Sequence, residues 1–331
     1  MRHCPLTAAE SSRTMTAFAV RIEMQPMNSS ADNAVRLAHF SDIHVTCRPL
    51  GWQREDWLNK RLPAWMNLRI LGRAFRFRHV EQVLAALMAD LRQRRPDHLI
   101  FSGDATALGF EAELVHAAGL LGLLDGERMP GIAVPGNHDY CTPTAAESGD
   151  FEKHFAPWQS GERVDDAVYP FAQRVGFAWL VAVNTSTANR WAWDASGGVD
   201  AAQLDRLALL LSRLPGGPRI LVTHYPVCLK NGKPERRSHG LRNLDDLVRI
   251  AATGKISLWL HGHRHGAYHH ESPQLAPFPV ICAGSATQNG LWSYSEYLIQ
   301  SGLVKGLRRV YDSQSRTFHE GDSFQVCLQS G

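Results

Sequence analysis

The 331-residue chain has no cysteine pair at CxxC spacing: Cys4, Cys47, Cys141, Cys228, Cys282 and Cys327 are scattered. That excludes a thiolate zinc clip and a dense disulfide framework, and makes a reducing, cytoplasmic setting the expectation. The chain also lacks any apolar run near the roughly 20 residues that span a bilayer. It lacks a charge imbalance, since 35 Lys+Arg against 32 Asp+Glu leave a formal net charge of +3. So small an excess makes no global case for nucleic acid, and no nucleic-acid partner is expected. No internal repeat or long linker divides it. With 44% apolar and 20% charged residues it has the composition of an ordinary globular chain built around one core.

The first 34 residues stand apart. They show no sustained periodicity and no apolar stretch of the signal-peptide kind. Arg2, Arg13 and Arg21 among Ser and Thr suit a transit peptide, but Glu10 and Glu23 argue against one. Residues 1–34 are therefore read as a disordered N-terminal extension, or as the result of a start placed upstream of Met15, Met24 or Met27. Residues 35–331 are read as one domain.

Within that domain, short β-rich runs alternate with helical periods. Runs at 35–40, 98–102, 131–134, 177–184, 219–223 and 256–260 read as strands, followed by 279–283, 294–300 and 304–311. Val80, Val83, Leu84, Leu87, Met88 and Leu91 fall on one helical face. A second helix starts at Asp200, with Gln203 in capping-box position and Leu204, Leu207 and Leu211 as its stripe. A third runs from about Asn243 to Gly254. The early strand–helix–strand order implies a mostly parallel sheet, and the strand-only C-terminus implies antiparallel pairing.

Polar groups gather just after the strands, where α/β folds place ligands. Asp42-Ile43-His44 follows the first strand, Gly103-Asp104 the second and Gly136-Asn137-His138-Asp139 the third. His224 follows the run at 219–223. "HGHRH", with His261, His263 and His265, follows the one at 256–260. Asp42 and His44 are two apart, as are His263 and His265, so in extended backbone each pair points to one side. Carboxylate, imidazole and amide donors without thiolate suit Mn²⁺, Fe or Zn²⁺. His261 reads as a strand end. Tyr140, Tyr225 and the arginines Arg236 and Arg237 remain open between substrate contact and packing or solvent.

The ordered set D-x-H, G-D, G-N-H-D, H, G-H-x-H resembles the calcineurin-like metallophosphoesterase family, over residues 35 to about 290. The resemblance implies a four-layer α-β-β-α sandwich with two mixed sheets and a site for two divalent metal ions at the C-terminal ends of the strands. Asp42, His44 and His265 would hold one ion, Asn137, His224 and His263 the other, and Asp104 would bridge them. A hydroxide shared by the ions would attack phosphorus, His138 would protonate the leaving oxygen, and Asp139 would orient His138 and keep it protonated. The implied activity is phosphodiester or pyrophosphate hydrolysis. UDP-diacylglucosamine-type lipid pyrophosphohydrolases, cyclic-nucleotide phosphodiesterases and phosphomonoesterases are the alternatives within the family. A non-catalytic scaffold or peripheral membrane protein on the same fold is the alternative outside catalysis.

The stretch 51–79 should emerge beside the site. It mixes Trp52, Trp57, Trp65, Phe75 and Phe77 with Arg54, Lys60, Arg61, Arg69, Arg73, Arg76 and Arg78, opposed only by Glu55 and Asp56. Three readings stand: a surface for anionic lipid or a small or lipid-linked phosphate substrate, one that stacks and neutralises single-stranded nucleic acid, or an amphipathic insert with its arginines in solvent.

Overall fold

The computed structural model describes residues 34–70, 72–300 and 302–328. Residues 1–33, most of the stretch read as a disordered extension, lie outside the described residues.

Two six-stranded sheets form the centre. In the first, β1 (Val35–Phe40), β2 (His98–Phe101) and β3 (Gly131–Ala133) run parallel. On the other side of β1 come β10 (Ser293–Gln300), β11 (Leu303–Asp312) and β12 (Thr317–Cys327), all antiparallel. The second sheet has β4 (Phe171–Val175), β5 (Ala178–Ala182), β6 (Arg219–Val222), β7 (Ile256–His261), β9 (Val280–Cys282) and β8 (Tyr268–His270) in that order. Its four central strands β5, β6, β7 and β9 are parallel and its two edges antiparallel.

Period-two alternation explains the layering. Val35 and Leu37 of β1 face Ile220, Val222, Leu258 and Leu260 of the opposite sheet in a shared core. Ala38 and Phe40 face outward onto helix α3 (Val80–Arg94), whose Val83, Leu84, Leu87 and Leu91 are fully buried there, and onto α4 (Glu111–Leu120). On the far side α7 (Ala201–Arg213) and α8 (Leu244–Thr253) cover the second sheet through Leu204, Leu207, Leu211, Leu247 and Ala251. The result is the four-layer α-β-β-α sandwich with two mixed sheets. Truncating a contact such as Leu87→Ala should cost about 2–5 kcal/mol.

Asp200 caps α7 as expected, accepting from Gln203 N at 2.8 Å. The capping box does not close: the Gln203 amide instead pairs with Asn184 N and O, tying the helix start to the end of β5. Between β1 and α3 the insert forms α1 (Arg61–Arg69) and the short α2 (Arg73–Arg76). Short helices α5 (Pro143–Glu147) and α6 (Asp150–Phe155) follow β3. No helix among the described residues is long and apolar enough to cross a membrane.

Candidate metal centre

The strand ends converge as the sequence motifs require, and they do so in strained backbone. Among the described residues eight non-glycine residues have positive φ, and five are candidate ligands: Asp42, His44, Asp104, His263 and His265. Left-handed backbone costs on the order of 1–3 kcal/mol per residue and persists where function demands it. Asp42 N donates to Gly103 O (2.9 Å) and His44 N to Asp104 O (3.0 Å), which locks the first two loops together. Gly136 has to be glycine because a Cβ there would collide with Asp104.

Four imidazoles share one pattern. Each gives one ring N–H to an oxygen acceptor and turns its other nitrogen to the centre. His44 Nδ1 donates to Thr106 O (3.2 Å), His224 Nδ1 to Ser102 O (2.7 Å) and His263 Nε2 to His239 O (3.1 Å). His265 Nδ1 donates to Gln288 Oε1. The inward nitrogens therefore carry lone pairs, yet His44 Nε2 lies 3.1 Å from His265 Nε2 and His263 Nδ1 lies 3.3 Å from His224 Nε2. Asn137 Oδ1 lies 3.0 Å from His263 Nδ1 and 3.2 Å from His224 Nε2. Asp42 Oδ1, fully buried, has no hydrogen-bond partner, while Asp42 Oδ2 accepts from His263 N at 3.0 Å. Lone pairs converging on lone pairs repel unless a cation lies between them, and an oxygen acceptor on each outer nitrogen is the arrangement of metal-ligating histidine. The donor set fits divalent metal.

The distances divide that set. Asp42, His44 and His265 bring ligand atoms within 4.8 Å of one another, as do Asp42, Asp104 and His224. Asp104 Oδ2 stands between the halves, 3.7 Å from His44 Nε2 and 3.5 Å from His224 Nε2. Burial holds His44 and His263 well below the usual imidazole range. His224 goes the other way: burial lowers it, but Asp104 outweighs burial and raises it to about 9, so its inward lone pair becomes available where a cation displaces that proton. Burial also favours protonated Asp104, yet His224, by charge and hydrogen bond, holds it well below the carboxylate range.

His138 sits at the edge of this centre, its ring centroid 4.8 Å from that of His44 and its N–H on Asp104 Oδ1 at 2.8 Å. Its Nδ1 donates to Ala107 O (2.8 Å), so Nε2 is the acceptor that meets Arg73 Nη2 at 2.9 Å. Burial, then Arg73, lowers its pKa to about 3. The expectation for Asp139 needs correction here. Its carboxylate does not reach the His138 ring. It accepts from Gly136 N (2.8 Å), Thr106 N (2.9 Å), Ala105 N (3.2 Å) and Thr106 Oγ1 (3.0 Å), clamping two ligand loops together. The carboxylate needs backbone donors because it is buried.

The other polar residues fall outside the centre. His261 ends β7, donating Nδ1–H to Gly262 O at 3.0 Å, and His39 joins Ser102 and Tyr297 between strands. Tyr225 packs its ring 4.5 Å from that of His263 and gives its hydroxyl to Ala195 O; Tyr140 gives its hydroxyl to Glu152. Arg236 and Arg237 are exposed. Gln288 and Arg73 are the contacts that the sequence does not single out. A further cluster, Glu111, Asp150 and His154, is exposed in part and already neutralised by Lys153, 2.7 Å from Glu111.

Two sheets flanked by helices, with carboxylate and imidazole donors gathered at the strand ends, define a dinuclear-type metal hydrolase site. Residues 35–267 match the calcineurin-like phosphoesterase family, and the chain belongs to that family. Its backbone is similar to a dimetal phosphatase from Danio rerio (TM-score 0.60, 13% identity, 90% of this chain and 100% of that one). It is also similar to the purple acid phosphatase PPD1 of yellow lupin seeds (TM-score 0.56, 11% identity), of which it spans 54% with 89% of its own length. A third similar fold is GAP50, the anchor in the inner membrane complex of Plasmodium (TM-score 0.52, 13% identity, 90% of each chain). At these identities the likeness is one of fold. No curated protein matches the sequence.

Proposed function

We propose that the chain is a metal-dependent hydrolase of phosphodiester or pyrophosphate bonds, in which Asp42, His44 and His265 hold one divalent ion and Asn137, His224 and His263 the other, with Asp104 between them. The observation that carries this reading is the set of four imidazoles whose inward nitrogens face one another beside Asp42 Oδ1, a buried carboxylate oxygen without a hydrogen-bond partner. Two ions there would activate water and draw charge from the phosphoryl oxygens. The chain's own residues do the rest. The carbonyls of Thr106, Ser102 and His239 fix which nitrogen each ligand histidine presents. His138, half-buried at the opening, presents Nε2 to the incoming phosphoryl group and, once that nitrogen has taken a proton from solvent, is the residue placed to protonate the leaving oxygen. Asp139 acts at one remove, by holding the 104–106 and 136–139 loops in register. A non-catalytic scaffold would have no use for these converging lone pairs or for the strain that assembles them. The test is hydrolysis of bis-p-nitrophenyl phosphate beside p-nitrophenyl phosphate by chelator-stripped protein with Mn²⁺ restored. Metal-dependent turnover of the diester well above the monoester is expected; preference for the monoester would make it a phosphomonoesterase.

A second feature favours an amphiphilic substrate met at an anionic membrane surface. Part of the 51–79 insert packs, since Leu68 with Trp52 and Trp65 closes on Leu108 and Phe110. The rest does not: Leu58 is 92% exposed, Phe75 72% and Ile70 66%, and Arg54, Arg76 and Arg78 beside them are exposed as well. A cavity of about 500 Å³ between the insert and α3 reaches His44, with Leu68, Ala74, Phe77 and Val80 on its walls and Arg69 and Arg78 among its polar lining. Apolar tips ringed by cations suit anionic lipid. Sedimentation with phosphatidylglycerol-containing vesicles, lost when Arg69, Arg76 and Arg78 become glutamine, is the expected result. Equal recovery with neutral phosphatidylcholine vesicles would sink this reading.

A further inference from the structure

Arg73 is the cation of the insert that reaches His138 at the edge of the metal centre. Gly72, at φ +83°, turns the chain so that α2 faces the metal centre. Arg76 O accepts from Asn289 N at 2.6 Å, and Phe77 is buried with its ring 4.7 Å from that of His44, so the C-terminal end of the short helix is pinned. At its other end the guanidinium of Arg73 reaches Nε2 of His138 at 2.9 Å. No carboxylate forms an ion pair with Arg73 among the described residues, whereas Arg61 of the same insert is paired with Asp56 at 2.6 Å. A half-buried guanidinium whose partner is a neutral imidazole nitrogen is an anion site with a placeholder in it.

The position of Arg73 says which anion. His138 faces the leaving oxygen in the reading above, and Arg73 lies against the same ring nitrogen, on the leaving-group side. We propose that Arg73 binds the charge of the departing group, so that the site favours bonds whose leaving group is itself a phosphate: pyrophosphate bonds over esters of uncharged alcohols. This deepens the phosphoesterase reading and rests on it. In the step implied, a water oxygen bonds to one phosphorus and the bond from that phosphorus to the bridging oxygen breaks. Once Arg73 has turned from His138 Nε2 to the phosphate and that nitrogen has taken a proton from solvent, the bridging oxygen keeps the electron pair and takes this proton, while the attacking water loses one to solvent. Two monophosphates result, and Arg73 exchanges its His138 contact for oxygens of the departing one.

The probes are ADP-ribose, whose leaving group is a monophosphate, and bis-p-nitrophenyl phosphate, whose leaving group has none. Arg73→Ala should lower kcat/KM for ADP-ribose by about 10²-fold, the size expected for loss of one charged donor to the transition state, and that for the nitrophenyl diester by less than about fivefold. Arg73→Lys should recover part of the loss, and added guanidinium should partly rescue Arg73→Ala on ADP-ribose, which a packing defect would not permit. Equal losses on both substrates, or none on either, overturn the assignment. If the wild-type chain hydrolyses neither probe, the phosphoesterase reading fails separately. Calorimetric titration with inorganic pyrophosphate then decides Arg73 alone: affinity weakened at least tenfold by Arg73→Ala supports the anion site, and unchanged affinity refutes it.

Discussion

Nε2 of His44 and Nε2 of His265 lie 3.1 Å apart, and neither has a proton to offer the other, because both Nδ1 atoms donate outward, to Thr106 O and Gln288 Oε1. Such a pair is repulsive in the empty protein and attractive around a cation. Divalent metal should therefore stabilise the fold. Mn²⁺ at a hundred times its dissociation constant adds about 2.7 kcal/mol, which for a domain of this size raises Tm by roughly 4 °C. Thermal unfolding of chelator-treated protein with and without Mn²⁺ reads this without any turnover. An unchanged Tm would contradict the metal assignment.

Asp104 separates the two halves of the centre, 3.7 Å from His44 and 3.5 Å from His224. Asp104→Asn keeps an acceptor for the His138 N–H but removes the charge. Hydrolysis of bis-p-nitrophenyl phosphate should fall on the order of 10³-fold even at saturating Mn²⁺, with metal content per chain reduced. Retention of most of the activity would mean that Asp104 does not join two ions.

For His138, the informative quantity is the dependence on leaving group. His138→Ala should lose about 10²–10⁴-fold on alkyl phosphodiesters, whose leaving oxygen needs a proton, and far less on nitrophenyl esters, whose leaving group departs unprotonated. Losses of equal size on both would restrict His138 to contacting the phosphoryl oxygens.

The candidate ligand residues were legible because each closes a strand, and strand ends are where the chain must leave the core carrying polar groups. The central strands were legible for the same reason: their apolar runs are buried on both faces, as in β7. β12, the longest of the described strands, escaped because it is an edge strand whose "TFHEGDSFQVC" is largely exposed and does not alternate. β4, β8 and α4 are too short or too weakly patterned to register. Arg73 could not be told from Arg69, Arg76 or Arg78 by composition, since what distinguishes it is the turn at Gly72 and the anchor at Phe77. Asp139 misled for another reason: adjacency to His138 in sequence suggested a partner, whereas the turn directs its carboxylate to backbone amides 33 and 34 residues away.

Asp139 gives a prediction that separates clamp from catalyst. Asp139→Ala leaves the amides of Ala105, Thr106 and Gly136 without their acceptor in a buried loop, and each orphaned donor costs about 1–3 kcal/mol. Urea denaturation should show a loss of several kcal/mol, and Asp139→Asn a smaller one because an acceptor oxygen remains. Full stability with lowered activity would return Asp139 to a direct role beside His138.

Glu113 supplies a pH dependence remote from the metal centre. It is fully buried at the start of α4, where its Oε2 accepts from Leu108 N (2.9 Å) and Phe110 N (3.3 Å) and its Oε1 has no partner. Burial raises its pKa from the ordinary glutamate value of 4.5 to about 7, against the lowering effect of those hydrogen bonds. Between these values the folded chain holds a proton that the unfolded chain has released, so stability falls as pH rises from about 4.5 to about 7 and then levels off. A shift of that size corresponds to roughly 3 kcal/mol. Glu113→Gln mimics the protonated form and should remove this component. Its stability relative to wild type should therefore increase by that amount between pH 5 and pH 8, measured by urea denaturation at each pH. A constant difference between the two proteins across the range would show that Glu113 is ionised in the fold throughout and that its hydrogen bonds outweigh its burial.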